Sequence, residues 1–121
     1  MALRVIGHEV DFIPHYQQLK KDSKGKRSKA MLEAIENVKE RLEKSNQPLG
    51  AHHKITNIPE HYNNRYGVSN TLYHFDMPDD FRLMYTVRRS PNDGEKEALF
   101  LELISHQVYN HRFNYFKKKS H

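Results

Sequence analysis

The sequence predicts an α+β domain in two layers: an N-terminal strand, a two-helix hairpin, then an antiparallel β-meander closed by a short C-terminal helix. Three observations carry that reading. Apolar residues recur at helical spacing in the first third of the chain, the period changes to two in the second half, and 121 residues leave room for one domain. Residues 1 to 116 are read as that domain and 117 to 121 as a basic C-terminal tail. A core of this size buries roughly two thirds of the surface the unfolded chain exposes, so no staple is needed. The chain has no cysteine, which excludes a disulfide scaffold and thiol catalysis. No apolar stretch approaches the ~18 residues of a membrane span, and Glu9 and Asp11 interrupt any leader, so a cytoplasmic protein without a membrane partner is expected.

Residues 2 to 6 alternate weakly and stop at Gly7, which predicts a short strand. Phe12, Tyr16 and Leu19 then recur at helical spacing until the polar stretch around Gly25. From Lys29 to Lys44, Met31, Ile35, Val38 and Leu42 form one stripe, with Ser28 as the expected N-cap and a stop required before Pro48. Residues 52 to 57 suggest a short strand, and 58 to 70, rich in Asn, Gly and Ser, read as a loop. Tyr73 and Phe75, then Phe81, Leu83, Tyr85 and Val87, alternate as two strands about a turn at Met77 to Asp80. After a second turn at Ser90 to Gly94, the near-continuous apolar run Ala98 to Ile104 predicts a strand covered on both faces. Tyr109, Phe113 and Phe116 are spaced for a terminal helix.

Charge is unevenly placed. The net charge is +5, but residues 20 to 29 hold six bases against Asp22, and residues 103 to 121 hold Arg112, Lys117, Lys118 and Lys119 with no acid. Those two stretches carry +9 and leave −4 for the rest. Such localisation fits a phosphate-facing surface, and Lys20, Lys24, Lys26 and Arg27 are its candidate RNA contacts.

Gln47-Pro48-Leu49-Gly50 after the long helix, the paired segments Leu72 to Asp76 and Asp80 to Val87, and the run Leu101 to Tyr109 together resemble the RelE/ParE toxin superfamily. The resemblance spans about residues 1 to 116, although residues 58 to 70 are longer than the family's usual link. It implies a RelE-like two-layer fold. It also implies the toxin half of a toxin-antitoxin pair, acting as a metal-independent, ribosome-dependent mRNA endoribonuclease. The implied partners are mRNA, the ribosome and a cognate antitoxin. The family also contains non-catalytic relatives, so the alternative implied is a protein that binds RNA or inhibits a protein target such as DNA gyrase.

Cutting RNA without a metal needs a group to take the 2′-hydroxyl proton, a group to protonate the leaving 5′-oxygen, and a cation on the phosphate. Arg82 projects from its strand with Met84 and Thr86, opposite Phe81, Leu83 and Tyr85, and its match to the family's strand arginine implies phosphate clamping. His106 directly follows the apolar strand and is the acid-base candidate, while Tyr109, three residues on, can donate a proton or stack on a base. Lys54, Arg65, His74, His111 and Arg112 are further candidate phosphate or proton groups. The nine histidines lack ligand spacing: His52 and His53 are adjacent, His106 and His111 lie five apart, and there is no His-Glu-x-x-His. Neither a metal nor another cofactor is expected.

Overall fold

A computed structural model describes residues 3–22 and 24–119, with side chains through residue 113. The elements are strand β1 (Arg4–Gly7), helices α1 (Ile13–Lys21) and α2 (Lys26–Glu43), strand β2 (Ala51–His53), helix α3 (Glu60–Tyr66), strands β3 (Leu72–Met77), β4 (Phe81–Arg89) and β5 (Lys96–Ser105), and helix α4 (His106–Lys119). Strand, helix pair, antiparallel strands and closing helix thus follow in the predicted order. The sheet order is β1-β5-β4-β3-β2, with β1 parallel to β5 and every other pair antiparallel. Among the described residues, no helix is long and apolar enough to cross a membrane.

On one face, α2 buries Met31, Ile35, Val38 and Leu42 against Phe75, Leu83, Tyr85 and Phe100. Each such side chain contributes about 1.5–3 kcal/mol of burial free energy. The helix begins a turn earlier than the sequence suggests, because Gly25 supplies the extended N-cap. Ser28 lies inside the helix instead and donates a 3.0 Å hydrogen bond to Asp22 Oδ2, which ties the α1–α2 hairpin together.

The second face is covered by α3 and α4, around Ile58, Tyr62, Leu72, Met84, Leu99, Leu101 and Ile104. Helix α3 occupies the segment expected as loop. Its sequence is polar apart from its two tyrosines, so propensity gives no stripe. It forms because Pro59 starts it, Gly67 ends it at φ 71°, and Tyr62 is fully buried beneath it. Register along β4 and β5 is broken once: Met84 faces Glu102, but Tyr85 faces Phe100, leaving Leu101 as an extra residue. This bulge puts Leu101 and Glu102 on the same face, whereas strict alternation would send Glu102 under α2.

Candidate functional site on the second sheet face

Alternation along β4 places Arg82 on the α3/α4 face with Met84, as the sequence predicts. Helix α4 begins where β5 ends, so its first turn returns Tyr109 over the sheet, with Arg82 Cζ 4.1 Å from the ring centroid. A guanidinium on an aromatic face is attracted by the ring quadrupole and held flat. Tyr109 is held from behind by Phe113, stacked at 4.2 Å between centroids. On β3, Asp76 stands directly opposite Arg82, and its Oδ1 lies 3.2 Å from Arg82 Nε. The same oxygen is 3.6 Å from His74 Nε2, and the His74 ring packs edge-on to Tyr109 at 5.4 Å. His74 Nδ1 shares a 2.8 Å hydrogen bond with Nε2 of His53 on β2. Gly50 makes this pairing possible. Its φ is +82°, and a Cβ there would meet the His74 carbonyl oxygen at 2.4 Å.

Burial sets the protonation of this cluster. Loss of solvent, reinforced by His74, His52 and Arg82, pushes the His53 imidazolium pKa down to about 4. Burial and the Arg82 charge lower that of His74 as well, with Asp76 opposing them. Burial raises the Tyr109 phenol, against the pull of Arg82. Beside the Asp76 carboxyl group, the patch at neutral pH therefore presents one cation, two neutral imidazoles and a protonated phenol. That set can hold an anion, accept one proton and donate another.

A second polar cluster occupies the same face. Glu102, aimed inward by the bulge, pairs with Arg112 and lies 3.9 Å from His61 Nε2 and 3.4 Å from the Tyr66 hydroxyl. Arg112 also donates to the Tyr62 hydroxyl at 3.2 Å. The Tyr66 hydroxyl donates to Asp11 at 2.6 Å, and Arg65 grips the same carboxylate, holding it well below the usual carboxylate range. His61 Nε2 is buried without a hydrogen-bond partner among the described residues; the other groups satisfy one another and cross-link α3, α4 and the β1–α1 turn.

The structure brings together some of the predicted site residues. Arg82, Tyr109 and His74 form one patch; Arg65 and Arg112 are committed to Asp11 and Glu102. His106, the first residue of α4, is exposed, as are His111 and Lys54, and no hydrogen bond or ion pair joins His106 to Arg82 or Tyr109 among the described residues. Lys20, Lys24, Lys26 and Arg27 lie at the α1–α2 hairpin, whose Arg27 approaches Asp79 of the β3–β4 turn at 3.7 Å. That contact brings the basic run to the turn joining Asp76 to Arg82. The side chains of Lys117, Lys118 and Lys119 lie outside the described residues, and α4 runs to Lys119. Sequence reasoning did not single out His53, Asp76 or Glu102. Asp76 was reachable, since a hairpin centred on Asp79 pairs 76 with 82; Glu102 was not, because a bulge has no signature in this run.

Among the described residues, no three histidine, aspartate or glutamate side chains converge where an ion could sit. No family model matches the chain, and no curated protein or solved structure is detectably similar to it.

Proposed function

We propose that this protein is a cytoplasmic endoribonuclease, the toxin of a toxin-antitoxin pair, cutting mRNA on the ribosome by metal-independent acid-base chemistry. The observation that carries the reading is the Arg82 guanidinium stacked 4.1 Å over Tyr109, with a neutral imidazole, His74, against the same ring. Arg82 holds the scissile phosphate as charge develops on it. His74 takes the 2′-hydroxyl proton as that oxygen attacks phosphorus. The P–O5′ bond breaks, and Tyr109 protonates the departing oxygen; a raised phenol is still a far stronger acid than the alcohol it forms. The products are a 2′,3′-cyclic phosphate and a 5′-hydroxyl. His106, exposed at the start of α4, is left as an outer contact for the RNA.

The basic α1–α2 hairpin extends the phosphate-binding surface past the β3–β4 turn. An acidic antitoxin segment folding over Arg82 would neutralise the protein by covering the same patch.

Cleavage of programmed ribosomes tests the reading. Arg82→Ala is expected to lower cleavage by roughly 10²–10³ with RNA binding largely kept. His74→Gln and Tyr109→Phe should each cost roughly 10²–10⁴, His106→Ala much less, and EDTA nothing. Growth arrest with intact transcripts would replace this reading with a non-catalytic one, in which the same face binds RNA or blocks a protein such as gyrase.

A further inference from the structure

One group in the patch has the wrong sign for an anion-binding site. The Asp76 side chain is 81% exposed, yet a single carboxylate oxygen touches both the cation and the imidazole, 3.2 Å from Arg82 Nε and 3.6 Å from His74 Nε2. The contact is built into the hairpin, because register sets Asp76 directly across from Arg82.

We propose that Asp76 is a positioning residue whose carboxylate fills the anion seat between Arg82 and His74, and that the site's ligand is a phosphodiester that displaces it. The ligand class rests on the nuclease reading; the contact does not. At rest Asp76 fixes the guanidinium in the plane that a phosphate oxygen needs, and it does so with the same charge. An ion pair this exposed is screened by water and salt, so an arriving phosphate displaces it at small cost. Once off Arg82, the carboxylate stays within reach of His74 and stabilises the imidazolium formed when that ring takes the proton. Asp76 thus opposes binding and assists chemistry, two effects of opposite sign.

Inorganic phosphate is the probe, titrated into the full chain while the Arg82 Nε–Hε NMR resonance is followed. Asp76→Asn should tighten phosphate binding roughly three- to tenfold, since it removes a like charge adjacent to the phosphate. Asp79→Asn, which removes the same charge from the exposed contact with Arg27, should change it less than about twofold. On RNA, Asp76→Asn should lower KM and kcat together. Absence of the phosphate gain, or an equal gain in Asp79→Asn, overturns the proposal, as does a KM that falls while kcat holds. Far-UV circular dichroism verifies the fold, which an exposed substitution leaves intact. A chain that shows the gain at Arg82 but never cuts RNA overturns the nuclease reading alone. A chain that cuts RNA without the gain overturns this inference alone.

Discussion

Against α1 and α2 the sheet presents Phe75, Leu83, Tyr85 and Phe100, and α2 answers with Met31, Ile35, Val38 and Leu42. Against α3 and α4 the same strands present Leu72, Met84 and Leu101, but also His74, Arg82 and Glu102. The first face is an ordinary apolar core, whose contacts are non-directional and tolerate repacking. The second buries polar groups most of which are partnered, so that removing one strands its neighbour. Both faces bury an apolar cluster, and the groups able to do chemistry lie on the second.

The largest expected break in that contrast is Leu42→Ala. Leu42 is fully buried under α2, so truncation should cost about 2–5 kcal/mol, read from the shift in urea midpoint. The Arg82 Nε–Hε resonance should stay in place, since the cavity opens on the far face; a moved resonance would show the faces to be coupled.

Glu102→Ala is the counterpart on the polar face. It leaves Arg112 without its carboxylate, and because the Arg112 side chain is 22% exposed, the loss should fall below the ~3–5 kcal/mol of a fully buried pair. Glu102→Leu, which replaces the charge with apolar volume, would settle whether the pair or the packing matters; equal losses for the two variants would assign the cost to Arg112.

pH separates the faces next. A histidine whose folded pKa is depressed contributes stability that is complete above the unfolded value of 6.5 and is lost as pH falls toward the folded value, here about 4 for His53. Stability should therefore drop by about 1–3 kcal/mol between pH 6.5 and 4.5, with His74 and His61 shifted in the same direction. His53→Gln should reduce that slope. Asp11 and Asp93 are depressed carboxylates that act only below about pH 4, so they leave this window clear. A His53→Gln protein with the same slope would remove His53 from the account.

The smallest effect concerns the basic hairpin on the apolar side. Neutralising Lys20, Lys24, Lys26 and Arg27 should flatten the salt dependence of RNA binding by at most ~0.7 in log-log slope for each phosphate no longer neutralised. A slope that does not change would make the run a solvated hairpin and restrict RNA to the polar face.

The helix pair, the alternating strands and the side of β4 from which Arg82 projects were all legible in the order of residues. Each follows from local periodicity, since a period of 3.6 or 2 fixes which residues share a face whatever lies opposite. The remainder came from contacts between distant segments. Helix α3 has no stripe to announce it and exists because Tyr62 finds a buried place. Glu102 faces Arg112 only because one extra residue on β5 reverses the alternation. Histidine at 53 joins the patch through the register of β2 on β3, a pairing that neither segment encodes alone. His106 and His74 illustrate the difference: a place directly after the apolar strand pointed to the first, while the fold of the sheet put the second against the Tyr109 ring.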